Sequence, residues 1–108
     1  MAVDWGSVLT KIELAVGNVI GDAWPGAASG ASTQFQAIVS AGKQIEQKRA
    51  SLGQDDYEGL MLMQKRALEG VLQTYVGISL NVAEQAAASA WNVVATALKT
   101  AYPALAFL

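Results

Sequence analysis

The sequence predicts an all-α protein, and two observations support this prediction. Apolar residues recur every three or four positions along most of the 108-residue chain, which is the period of an amphipathic helix. The short stretch that does alternate, residues 74–83, has no convincing partner strand elsewhere, so we expect helix there too. We expect a single all-helical domain over residues 1–108. Its form would be an elongated helical hairpin or bundle, with one long C-terminal helix packed by two shorter helices.

The two shorter helices are predicted in the N-terminal half. The first covers about residues 4–22, where apolar side chains recur on one helical face. A Trp-Pro-Gly sequence at 24–26 follows, and proline with glycine predicts a break in the chain. The second helix covers about residues 32–51, with Ser29 or Ser32 as its N-cap.

A short connection leads into the long third helix. Gly53 is placed where a left-handed glycine would end the second helix. Asp55 as N-cap and Glu58 three residues later resemble a capping box. No proline follows until Pro103, so one helix could run over about 56–100 and span roughly 65 Å.

An eleven-residue pattern is the clearest signal in this helix. Apolar residues recur with spacings of four, four and three, a period that favours nearly straight or slightly right-handed helix packing. We expect this stripe to mediate self-association, in the manner of a coiled coil, through Leu72, Val76, Leu80, Ala83, Ala87, Trp91, Val94 and Leu98.

A second apolar stripe beside the first widens the apolar arc to about 200°, more than a surface helix usually shows. The two shorter helices would cover one side, leaving the other for a second chain or for lipid. The alternative is that the long helix bends at Gly70 or Gly77, so that the chain closes into a compact bundle.

The composition argues against several functions. The chain has no cysteine and no histidine, so it lacks the commonest metal ligand and the usual proton-transfer side chain at neutral pH. A net charge of −2 argues against nucleic-acid binding. We therefore expect no catalytic residues, no metal, no cofactor and no small-molecule substrate. The acidic residues near Asp55 are explained by helix capping.

The function expected from these observations is structural. We expect a non-enzymatic subunit of a homo-oligomer or a larger particle, such as a virion, whose partner is itself or another helical protein. Alternatives are a membrane-active or pore-forming helical protein, and a small helical adaptor. The N-terminus has no basic region typical of a signal peptide, so we expect a cytoplasmic location, a place within an assembled particle, or peripheral membrane association.

Overall fold

Four α-helices account for most of the chain that the structure describes. The structure is a computed structural model that describes residues 3–51, 53–74 and 78–103. Helices cover 87% of these residues, and none of them lies in a strand. The helices are α1 (Trp5–Ile20), α2 (Trp24–Gln47), α3 (Gln54–Leu72) and α4 (Leu80–Ala101), with a 3-10 turn at Gly21–Ala23 between α1 and α2. The predicted all-α fold is confirmed.

The helices form a closed bundle. Both α1 and α3 pack against α2 and against α4, so α1 and α3 lie on opposite sides of the bundle. Trp5, at the start of α1, contacts Gly42 near the end of α2, so these two helices run antiparallel. The longest dimension of the molecule is 42 Å, well short of the roughly 65 Å expected for one long helix. The predicted long helix is therefore not continuous, and the alternative in which the chain closes into a bundle describes the structure.

The first helix matches its predicted bounds closely, but the second begins eight residues earlier than predicted. The reason is Pro25, which occupies the first turn of α2. A proline is tolerated there because the first helical N–H groups have no intrahelical acceptor. The turn between α1 and α2 instead uses Gly21, whose positive φ of 71° is readily adopted only by glycine.

The predicted long helix is divided into α3 and α4. Its two parts are helical as expected, but α3 ends at Leu72 and α4 begins at Leu80. Ser79 is the N-cap of α4, with an extended backbone and a side-chain oxygen that accepts a hydrogen bond from the Val82 N–H at 3.2 Å. Gly77, one of the two predicted bend positions, lies outside the described residues.

The core explains how so apolar a chain closes on itself. Its accessible surface is 5878 Å², close to the roughly 5700 Å² expected of a folded monomer of this mass. Small side chains on α4 contribute much of the interior: Ala83, Ala86, Ala87 and Ala90 are fully buried. Because alanine adds little volume, it raises the apolar fraction of the sequence without requiring a large covering surface.

Two tryptophans pack over glycines where α1 meets α2. A Cβ added at Gly42 would collide with the indole ring of Trp5, and one added at Gly17 would lie 2.9 Å from the ring of Trp24. Both glycines therefore allow a tryptophan ring to lie close to the helix backbone. This packing explains why glycine is present there although it lowers helix propensity.

Candidate functional site

The eleven-residue stripe lies mainly in the interior. Leu80 is 55% exposed, and Val76 lies outside the described residues. The other members are buried in the chain's own core: Leu72, Ala83, Ala87, Trp91, Val94 and Leu98. This corrects the expectation that the stripe faces a second chain, because the chain's own helices α1, α2 and α3 cover it. Self-association as such stays a prediction.

The predicted caps are also corrected. Gly53 has an extended backbone with φ of −87° and is itself the N-cap of α3, rather than a left-handed end to α2. Asp55 lies within the first turn of α3, where its negative charge interacts favourably with the positive end of the helix dipole. Its side chain makes no capping hydrogen bond. Glu58 accepts a hydrogen bond from the Gln54 side chain at 3.1 Å. The capping-box pattern was misleading because the helix begins one residue before Asp55.

A polar cluster around Glu46 joins the two ends of the chain to α2. The Glu46 carboxylate accepts hydrogen bonds from the Val3 N–H at 2.9 Å, Trp5 Nε1 at 2.9 Å and the Tyr102 hydroxyl at 2.7 Å. Arg49 lies over the Tyr102 ring, 4.3 Å from its centroid, and donates to the Glu46 backbone oxygen at 2.6 Å. The cluster thus holds the start of α1 and the end of α4 beside the end of α2.

The hydrogen bonds in this cluster shift two ionisations. Burial alone would raise the pKa of Glu46, but the bonds from Trp5, Val3 and Tyr102 and the nearby Arg49 charge outweigh it and lower the pKa below its ordinary value. The pKa of Tyr102 is raised, chiefly because its hydroxyl donates to Glu46. The lowered pKa of Glu46 and the raised pKa of Tyr102 keep the carboxylate charged and the phenol neutral, as expected for a structural contact.

A second polar contact lies inside the core. The indole nitrogen of Trp91 donates to the Tyr57 hydroxyl at 2.8 Å, and the centroids of the two aromatic rings are 6.0 Å apart. Burial raises the pKa of the Tyr57 phenol, with the Trp91 bond acting in the other direction. The contact joins α3 to α4 and satisfies a donor that would otherwise be costly to bury.

An open groove of about 460 Å³ lies between the start of α1 and the end of α4. Asp4, the N-cap of α1, and Lys11 line it on one side, and Asn92 and Thr96 line it from α4. No cluster of potential metal ligands occurs among the described residues. None of the described helices is both long and apolar enough to span a membrane.

The surface that sequence reasoning missed is on α3. Leu62 is 46% exposed and Met63 57% exposed, on the side of the helix opposite its buried residues. We call this side the α3 outer face and define it by its exposed members: Asp55, Gly59, Leu62, Met63, Arg66 and Gly70. The sequence signal was the spacing of three or four residues between these positions, but they lie within a segment rich in charges.

Two glycines on the α3 outer face leave open space beside the helix. A Cβ added at Gly59 or Gly70 would meet no atom within 4 Å. Unlike Gly17 and Gly42, these glycines therefore have no packing reason within the described part of the chain.

Comparison of the chain with protein-family models, with curated protein sequences and with solved structures finds no match.

Proposed function

We propose that this chain is a non-enzymatic structural subunit that associates with copies of itself through its outer surface, as part of a homo-oligomer or a larger particle of virion type. The observation that supports this proposal best is that two large apolar side chains, Leu62 and Met63, are exposed on the α3 outer face. Single exposed apolar residues are ordinary on protein surfaces, whereas apolar patches rimmed by polar residues mark contact surfaces.

The structure of the single chain favours reversible association of monomers that are already folded. The core is closed within one chain, and no described buried side-chain polar atom lacks a hydrogen-bond partner. A second copy is therefore not needed to complete the fold, as it would be in an obligate dimer. We expect folded monomers that associate reversibly, with an assembly whose mass depends on concentration.

The test is the mass of the chain in solution, measured by sedimentation equilibrium from micromolar to millimolar concentration, with and without detergent. We expect a mass that rises with concentration in plain buffer toward a multiple of 11.3 kDa. A chain that stays monomeric up to millimolar concentration would contradict self-association and favour an adaptor for a different protein. A mass that rises only with detergent would favour the membrane-active alternative.

A further inference from the structure

We propose that two copies of the chain meet through their α3 outer faces, with the two α3 helices antiparallel about a two-fold axis. In this arrangement Asp55 of each copy lies opposite Arg66 of the other, and Gly59 lies opposite Leu62. The inference depends on the proposed function, because it names the surface and the geometry of self-association.

The position of α3 makes its outer face available. The helix buries Tyr57, Leu68 and Leu72 toward α2 and α4. At 100° per residue, Gly59 and Arg66 lie about half a turn away from these buried residues. The outer face is thus directed away from both helices that α3 packs against, and no other helix of the described residues covers it.

The glycine at position 59 leaves room for a large side chain of another chain. Glycine inside a helix costs about 1 kcal/mol relative to alanine. At Gly17 and Gly42 a tryptophan ring uses the space that the missing side chain leaves. At Gly59 that space is open, and in the proposed pairing Leu62 of the second copy occupies it. A large side chain packed over a glycine is the same device that α1 and α2 use within one chain.

The charges identify the occupant as a second copy. The first turns of α3 are acidic, with Asp55, Asp56 and Glu58, whereas Lys65 and Arg66 lie two to three turns later. The side chains of Asp55 and Arg66 form no hydrogen bond or ion pair with any other described residue. An antiparallel pair brings the acidic end of each helix beside the basic region of the other. A parallel pair would bring like charges together.

Such a pattern is self-complementary, which is what a two-fold interface requires: if one residue contacts another, the reverse contact also occurs. Each favourable pair in the proposed interface is therefore present twice. The overlap of the two helices covers residues 54–67, or roughly 20 Å. An overlap of this size is at the small end of specific interfaces, so we expect a weak, reversible dimer.

Three variants test the surface by sedimentation equilibrium. Arg66→Glu places like charges opposite each other at two symmetric positions and should raise the dimer Kd by roughly 10- to 100-fold. Adding Asp55→Arg to the same chain reverses both partners and should bring the Kd back to within about threefold of the parent. Leu14→Glu is the matched control, because Leu14 is 64% exposed on α1 and its replacement should leave the Kd unchanged.

Each outcome has a distinct meaning. If the parent associates but Arg66→Glu leaves its Kd unchanged, the α3 outer face is not the contact, although the proposed function stands. If Leu14→Glu weakens association as strongly as Arg66→Glu, the proposed location is overturned as well. A parent that is monomeric throughout removes both proposals.

Cysteine cross-linking tests the antiparallel orientation, because the parent contains no cysteine. In the proposed pairing, Asp55 lies roughly 16 Å along the helix from the Asp55 of the other copy, far beyond the roughly 7 Å that a disulfide can bridge between Cα atoms. Asp55→Cys and Arg66→Cys should therefore each cross-link poorly alone and efficiently when mixed, under mild oxidation. Efficient cross-linking of either variant alone, with no gain in the mixture, would overturn the antiparallel arrangement.

Discussion

The packing of Trp5 over Gly42 predicts that Gly42→Ala destabilises the protein, although helix propensity alone predicts the opposite. Alanine is the better helix former by about 1 kcal/mol, so Gly42→Ala in α2 would be stabilising if propensity decided the outcome. In the structure, however, the new Cβ would collide with the Trp5 ring and lie 3.1 Å from Val94 on α4. The Trp5 ring is held by its hydrogen bond to Glu46, so it cannot swing away without loosening that bond.

The magnitude follows from these opposing contributions. Overpacking a core position costs about 1–3 kcal/mol. Weakening the Trp5 hydrogen bond costs about 1 kcal/mol more, and the gain in propensity offsets a similar amount. We therefore expect Gly42→Ala to lower the free energy of unfolding by about 1–3 kcal/mol, measured by urea denaturation followed by circular dichroism.

Gly70→Ala is the matched control, because an added Cβ there meets open space on the exposed side of α3. It should raise the free energy of unfolding by about 0.5–1 kcal/mol, as expected for glycine to alanine in an unstrained helix. If Gly42→Ala is as stable as the parent or more stable, the Trp5 ring does not fill the space above Gly42.

Three further changes test the polar contacts, each by denaturation of the variant beside the parent. Because the folded-state pKa of Glu46 is lowered, its charged form contributes stability above the ordinary pKa of 4.5, and this contribution is lost as pH falls through the lower folded value. Glu46→Gln should therefore be less stable than the parent at neutral pH, and the difference should shrink in acid; an equal difference at both pH values would contradict this. Tyr57→Phe removes the acceptor of the buried Trp91 N–H and should cost about 1–3 kcal/mol, whereas an unchanged stability would mean that the bond is unimportant. Ser79→Ala should cost about 0.5–2 kcal/mol through loss of the α4 cap, and a neutral result would place the start of α4 elsewhere.

Helical periodicity was sufficient to predict the fold class and the position of α1, because apolar spacing reports directly on which side of a helix is buried. The helix boundaries were harder to predict. Pro25 and Gly26 were interpreted as a break, yet proline in a first helical turn loses no intrahelical hydrogen bond. The start of α4 was missed because Ser79 was evaluated as part of a continuous helix rather than as a cap.

The candidate site was predicted less well, for a related reason. The eleven-residue pattern identified buried residues such as Trp91 and Leu98 correctly as apolar contact positions. Their partners depend on where the chain turns back, and the division between α3 and α4 supplies enough helices to cover the stripe from within. The α3 outer face was missed because Leu62 and Met63 are surrounded in sequence by charges, and only the fold shows that they are exposed together.

The substitution Trp91→Glu tests most directly the central claim that the apolar stripe is the interior of one chain. Trp91 is buried, donates to Tyr57 and lies among the core residues of α4. An unpaired charge at this position is strongly disfavoured, so we expect the variant to lose helicity and cooperative unfolding together. Sedimentation and circular dichroism on the same sample separate the two interpretations. A variant that keeps the helicity of the parent while its mass falls to that of a folded monomer would show that Trp91 joins chains, and would contradict the closed bundle.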